Sequence, residues 1–132
     1  MNRFLLVGFS ALLLILTACA GNSEESDPAA AVEAFWNAKI AGDADALRGV
    51  MCSAMEADVE MQAISYASVD AEIQDMACEA DGENGDFTIV TCEGKIIALY
   101  GTETREFPLG TSQLVQEDGA WKWCGESAPA GN

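Results

Sequence analysis

Histidine is absent from this chain, and basic residues are scarce. The 132 residues contain six Lys and Arg against 22 Asp and Glu, which gives a net charge of −16. Without histidine, the chain lacks the commonest physiological acid–base group and the commonest nitrogen ligand for zinc. Affinity for a phosphate backbone is built from Lys and Arg, so this charge balance excludes nucleic acid as a partner. The length predicts a single domain.

A long apolar run occurs only at the N-terminus. Behind Arg3, residues 4–16 hold six of the ten leucines of the chain. A transmembrane helix needs about 20 apolar residues, so this run is too short to span a membrane comfortably. A basic residue, a short apolar segment and then small residues are typical of a secretory signal.

The residues that end this leader are more specific than its hydrophobicity. Leu16, Thr17 and Ala18 precede Cys19, a sequence that resembles the lipobox of bacterial lipoproteins. The resemblance implies that residues 1–18 are removed as a signal peptide and that the Cys19 thiol receives a diacylglycerol. Several acyl chains on one residue anchor a protein stably. We therefore expect an extracytoplasmic protein that is anchored to the bacterial cell membrane or outer membrane, with residues 19–26 as its lipidated N-terminus and flexible tether.

Four cysteines remain once the leader cysteine is assigned to lipid, and an even number in an exported chain predicts two disulfides. They are Cys52, Cys78, Cys92 and Cys124. A hairpin centred near Gly85 places Cys78 opposite Cys92, which leaves Cys52 to pair with Cys124. A redox-active pair would need a C-x-x-C spacing or nearby positive charge. These cysteines lack that spacing and basic residues are scarce, so we expect the disulfides to be structural. No pair has zinc-site spacing, so we expect no metal and no other cofactor.

Helical signals occupy the first part of the mature chain. Asp27, which is followed by proline, is typical of a helix N-terminus, and apolar side chains then recur on one helical face until Gly42. Asp43 predicts the start of a second, shorter helix. Ser53 and Glu56 form the S-x-x-E pattern of a capping box, which predicts a third helix that runs to about residue 66.

The apolar pattern changes to a period of two after residue 68. Strands are predicted at residues 73–80, 87–100, 105–116 and 121–124, with turns at 81–86, 101–103 and 117–119. Gly94 is a predicted bulge. Helices followed by an antiparallel meander predict an α+β domain at 27–126, with N-terminal helices packed on a curved antiparallel sheet. Residues 127–132 are expected to form a flexible tail.

Parts of this pattern resemble a known superfamily. The Ala-Phe-Trp stretch at 34–36, the Ala-Gly-Asp-Ala junction at 41–44 and the closing hairpin at 114–122 are similar to those of the nuclear transport factor 2-like superfamily. The resemblance covers about residues 27–126. It implies a cystatin-like α+β cone, in which the sheet wraps a long helix and leaves a pocket at the open end. Its members include ketosteroid isomerases, polyketide cyclases and small bacterial lipoproteins.

Five aromatic residues are candidates for lining such a pocket. They are Trp36, Tyr66, Tyr100, Trp121 and Trp123. Aromatic residues also commonly fill a core, which is the alternative interpretation. If a ligand binds, the acidic composition favours a neutral or cationic molecule over a phosphate or carboxylate.

An isomerase- or cyclase-like reaction would need a carboxylate base and an acid such as tyrosine. Asp70, Asp75, Tyr66 and Tyr100 are candidates. However, among 22 acidic residues a carboxylate near a tyrosine is expected by chance, so no catalytic residue is assigned. We predict a non-enzymatic envelope lipoprotein that binds a small apolar ligand or another envelope protein. The alternative is a small isomerase- or cyclase-like enzyme.

Overall fold

The computed structural model describes residues 27–130. The predicted leader, Cys19, the tether and residues 131 and 132 lie outside the described residues. The helices are α1 (Pro28–Ala41), α2 (Ala44–Val50), a 3-10 helix (Ser53–Asp58) and α3 (Val59–Ile64). The strands are β1 (Asp70–Asn84), β2 (Phe87–Tyr100), β3 (Glu103–Glu117) and β4 (Ala120–Glu126). Within residues 27–130, no helix is both long and apolar enough to cross a membrane.

The four strands form one antiparallel sheet in the order β1, β2, β3, β4. The helices pack against one face of this sheet, and the core lies between the two layers. The predicted α+β arrangement of N-terminal helices on an antiparallel sheet is therefore confirmed. The last hairpin turns at Asp118 and Gly119, whose φ angles of 53° and 81° are both positive, as the tight turns of β-hairpins require.

Two aspartates begin the first two helices, as the sequence predicts. One oxygen of Asp27 accepts the backbone N–H two residues later, and one of Asp43 accepts the N–H three residues later, each at 2.9 Å. Such caps contribute about 1 kcal/mol each. Gly42 ends α1 with a left-handed φ of 69°. Glycine adopts this conformation without a steric penalty, and α2 begins immediately afterwards.

The capping box predicted at Ser53 and Glu56 is wrong. The backbone N–H and the hydroxyl of Ser53 instead donate to the carboxylate of Glu117, at 3.0 Å and 2.8 Å. A 3-10 helix forms here, and α3 ends at Ile64 rather than near residue 66. Glu117 lies at the end of β3, so an acceptor from a distant part of the chain replaces the local cap.

A stacked pair of aromatic rings lies at the centre of the core. Phe35 of α1 stacks on Trp123 of β4, with ring centroids 3.8 Å apart and planes 7° apart. The indole N–H of Trp123 donates to the buried Ser112 hydroxyl at 3.1 Å, which satisfies both polar groups. Each large apolar side chain buried here contributes about 1.5–3 kcal/mol. Further members of the core are Val32, Leu47, Val59, Val90, Ile96, Leu109 and Leu114.

Both cysteine pairs lie at disulfide distance, in the predicted connectivity. Cys78 and Cys92 face each other across β1 and β2, with Cα atoms 4.0 Å apart. Cys52 and Cys124 have Cα atoms 5.2 Å apart and are separated by 72 residues. Chain-entropy arguments give about 4–5 kcal/mol for a loop of that size and about 3 kcal/mol for the short one. The longer cross-link also joins the helical layer to the last strand.

The first strand is longer than predicted. Pairing of β1 with β2 continues to Asn84, which lies opposite Phe87, so the turn consists of Gly85 and Asp86 alone. The prediction of a turn over 81–84 is therefore wrong. A register irregularity between Ala80 and Glu83 allows the ladder to continue through these polar residues.

The segment expected to form a tail continues from β4. The backbone N–H of Ser127 donates to the Thr111 carbonyl of β3 at 2.9 Å. A Cβ atom placed on Gly82 of β1 would lie 3.5 Å from the Cβ of Ala130. The described part of this segment therefore runs from β3 towards β1.

Gly94 occupies the predicted bulge. The register of β1 against β2 shifts beside it, and its φ is 97°. A Cβ atom at this position would lie 2.6 Å from the carbonyl oxygens of both Gln74 and Asp75. The backbone conformation and the close approach of β1 therefore each require glycine.

We expect Gly94→Ala to lower the free energy of unfolding by about 2–4 kcal/mol, because it combines strain at positive φ with a backbone clash. Urea unfolding followed by tryptophan fluorescence measures this change. Gly49→Ala is the matched control: a Cβ atom there meets nothing within 4 Å, and alanine in a helix gains about 0.5–1 kcal/mol over glycine. Equal stabilities of Gly94→Ala and the parent chain would contradict the conclusion that the bulge requires glycine at this position.

Candidate functional site

The structure divides the five aromatic residues predicted to line a pocket. Trp36 and Trp123 are only 4% and 3% exposed, so both rings lie in the core. Trp121 is half-buried and packs against the same core. Tyr66 and Tyr100 are partly exposed. The stack of Trp123 on Phe35, which the sequence does not reveal, holds Trp123 between the two layers.

Phe107 of β3 lies between the two tyrosines. Its ring centroid is 6.5 Å from that of Tyr66 and 6.5 Å from that of Tyr100, and both contacts are edge-to-face. We call Tyr66, Phe107 and Tyr100 the aromatic row. Sequence reasoning missed Phe107, although its alternation with the buried Leu109 on β3 indicates that both face the helices.

The aromatic row reaches the surface at the end of the sheet where β2 turns into β3. Tyr100 is 38% exposed, and Tyr66 and Phe107 are half-buried. Each ring therefore has one part in the core and another accessible to solvent. The three rings therefore form one partly exposed apolar patch, and such patches commonly mark interaction sites.

Lys39 of α1 lies at one end of the aromatic row. Its Nζ atom is 5.2 Å, 5.8 Å and 5.9 Å from the ring centroids of Trp36, Phe35 and Tyr66, respectively. Burial lowers the pKa of Lys39 below its usual 10.5, and the nearby Glu126 carboxylate acts in the opposite direction. Contacts of this type between an ammonium and a ring face contribute about 0.5–2 kcal/mol.

Arg105 of β3 lies at the other end of the row. Its guanidinium carbon is 5.2 Å from the Tyr100 ring centroid. It also forms an ion pair with Glu103 at 3.2 Å. The row is therefore flanked by two cations, of which Arg105 already has an acidic partner.

The remaining basic side chains of the described residues are also engaged. Lys95 pairs with Glu106 and Arg48 with Asp45, while Lys122 donates to the Gly49 carbonyl. Within residues 27–130, Lys39 has neither an ion pair within 4.0 Å nor a hydrogen bond. Its ammonium is thus partly desolvated against aromatic rings without an anionic partner from this part of the chain.

The catalytic arrangement considered from the sequence is not assembled in the described residues. Asp70 and Asp75 are exposed, and no Asp or Glu side chain in residues 27–130 is buried. A carboxylate base usually acts from a pocket that excludes water, and these side chains lie in no such pocket. The same residues contain no group of three or more side chains arranged to bind a metal ion.

A depression of about 290 Å³ lies at the opposite end of the domain. Its lining includes Arg48, Glu117 and Lys122. These groups are already engaged, because Arg48 pairs with Asp45 at 2.7 Å, Glu117 accepts from Ser53 and Lys122 donates to a backbone carbonyl. The last two of these contacts join the helical layer to the last hairpin at this depression.

Burial raises the pKa of Tyr66 above 10.0, and Tyr100 and Glu126 raise it further. Below pH 10 this tyrosine is protonated in both the folded and the unfolded chain. Above pH 10 it ionises first in the unfolded chain, so it destabilises the fold as the pH rises.

We therefore expect the difference in free energy of unfolding between Tyr66→Phe and the parent chain to be constant below about pH 10 and to shift in favour of Tyr66→Phe above it. Urea unfolding over a pH series measures this difference. Lys39 is present in both proteins, so its own titration cancels from this difference in free energy. A difference that stays constant through pH 11 (about one unit beyond the usual tyrosine value) would disprove the burial of this hydroxyl.

Comparisons with known proteins bear on the fold. No protein-family model and no curated protein matches the sequence. Among solved structures, the chain is similar to the solution structure of a SEC-C motif containing protein from Rhodopseudomonas palustris, with a TM-score of 0.55 over 79% of this chain and 80% of that one. The two sequences are 15% identical, so the likeness shows a shared α+β architecture alone.

Proposed function

We propose that this protein is a lipid-anchored, non-enzymatic domain of the bacterial cell envelope that binds a small apolar ligand at the aromatic row. Cys19 carries the lipid in this proposal, and residues 20–26 connect it to the folded domain. The observation that carries the binding role is the partial exposure of Tyr66, Phe107 and Tyr100 as one continuous set of rings.

The location outside the cytoplasm is supported by two independent features. The leader and Cys19 have the pattern of a lipobox, and the two cysteine pairs at disulfide distance suit an oxidising compartment. The helices packed on an antiparallel sheet also support our proposal that the domain belongs to the nuclear transport factor 2-like superfamily. In that superfamily the open end of the sheet holds the pocket.

We propose binding rather than catalysis because the carboxylates of Asp70 and Asp75 are exposed. An isomerase- or cyclase-like enzyme would need a buried carboxylate near the tyrosines. Another envelope protein is the second candidate partner. Met61 and Ile64 on α3, which are 58% and 67% exposed, favour this second candidate because large exposed apolar side chains suit contact with another protein.

The anchor is tested with Cys19→Ser in cells fed a labelled palmitate. We expect this variant to lose the label, because the thiol that would accept the lipid is gone, and to leave the membrane fraction. Ser23→Ala, four residues further along the tether, is the control and should keep both. Retained label on Cys19→Ser would refute the lipid assignment.

The binding site is tested on the mature chain carrying Cys19→Ser, so that no acyl chain competes. Titration with the neutral aromatic probe 2-naphthylmethanol should show saturable binding. Phe107→Leu keeps an apolar side chain but removes the central ring, and we expect it to weaken binding about 3- to 10-fold. Phe87→Leu, at the other end of β2, is the matched control. Equal affinity of all three proteins would rule out the aromatic row as the site.

A further inference from the structure

Resting on the proposed function, we infer that the ligand of the aromatic row is a carboxylate with an apolar or aromatic body, and that Lys39 binds its anionic group. The apolar body would contact Tyr66 and Phe107. The carboxylate would lie at the α1 end of the row, where Nζ of Lys39 is surrounded by three rings.

The first argument is the state of the Lys39 ammonium. A charge that leaves water needs a partner, and an unpaired buried charge is costly. The rings of Trp36, Phe35 and Tyr66 replace only part of the lost hydration. The other cations flanking or near this region have partners within the chain, such as Glu103 for Arg105. A ligand carboxylate would give Lys39 the ion pair that residues 27–130 do not supply.

The second argument is an unused donor beside it. Trp36 is 4% exposed, and its indole N–H has no hydrogen-bond partner among the described residues. Buried polar atoms without partners are rare, and each one calls for an explanation. The Trp36 ring is one of the three that face Nζ of Lys39. One carboxylate has two acceptor oxygens, so a ligand that pairs with Lys39 would also bring an acceptor into the region of the Trp36 ring.

The acidic composition of the whole chain favours a neutral or cationic ligand, but the charge nearest to the α1 end of the aromatic row is that of Lys39. Interactions between exposed charges are largely screened beyond about 8 Å at physiological ionic strength. Lys39 therefore determines the potential at contact distance more than the distant carboxylates do. The exception is Glu126, which is close enough to raise the pKa of Lys39 although it lies outside ion-pair distance. Glu126 should oppose a bound anion.

The inference is tested by comparing two probes with the same ring system on the mature Cys19→Ser chain. We expect 2-naphthoate to bind about 10-fold more tightly than neutral 2-naphthylmethanol, because hydrogen bonds to charged groups exceed those to neutral ones. Lys39→Met keeps the apolar stem and should abolish this preference, so that the two probes bind within about 2-fold of each other. Lys95→Met, whose lysine pairs with Glu106, is the matched control and should keep the preference.

Glu126→Gln should have the opposite effect to Lys39→Met, because removal of the Glu126 charge should strengthen naphthoate binding. Weaker naphthoate binding by Glu126→Gln would overturn the inference. Equal affinity of the two probes would also overturn it but leave the proposed function intact, whereas a failure of both probes to bind would reject the proposed function as well. If Lys39→Met does not fold, the Lys39 side-chain NMR signals of the parent chain decide: they should shift with naphthoate and not with the alcohol. Unchanged signals with both probes would reject the role of Lys39.

Discussion

The stack of Phe35 on Trp123 is the contact on which the rest of the domain depends. It places α1 across the sheet at the level of β4, and the Cys52–Cys124 pair ties the helical layer to the residue that follows Trp123. Lys39 lies one helical turn beyond Phe35 and on the same helix face. The position of the stack therefore places the Lys39 ammonium at the Tyr66 end of the aromatic row, where it is partly shielded from solvent.

At one end of the aromatic row, a positive side chain lies against ring faces in a chain that is strongly acidic. The carboxylates of the described residues lie at the surface or half-buried, where water solvates them. Lys39 instead has ring faces around its ammonium, and burial lowers its pKa. The desolvation of this positive charge costs free energy, because neither bulk water nor a carboxylate within the described residues compensates it fully. This contrast separates the site from the engaged charges at the opposite end.

Local sequence signals predicted the parts of the fold that depend on neighbouring residues. Asp27 and Asp43 begin helices because their side chains reach backbone N–H groups two or three residues away. Gly94 was predictable as a bulge, and the symmetric spacing of Cys78 and Cys92 about Gly85 predicted their register. The boundaries of β1 were less predictable, because its ladder continues through polar residues that usually form turns.

Local sequence patterns gave less accurate predictions where the side chain contacts a distant part of the chain. Ser53 has the local pattern of a helix cap but donates to Glu117, which is 64 residues away. Trp123 has the composition expected of a pocket wall but stacks on a helix that precedes it by most of the domain. In both cases the competing contact comes from another layer, and no periodicity within a segment reports which residue lies opposite.

The sequence by itself determined the order of elements, the turn at Asp118 and Gly119, and the pairing expected for the cysteines, because these depend on spacing and backbone preference. The tertiary structure alone decided which aromatic residues are core and which form a site. Lys39, Tyr66 and Phe107 lie far apart in the chain and meet only after α1 packs on the sheet. Desolvation of the lysine is a property of that packing and not of any one residue, so only the folded domain reveals it.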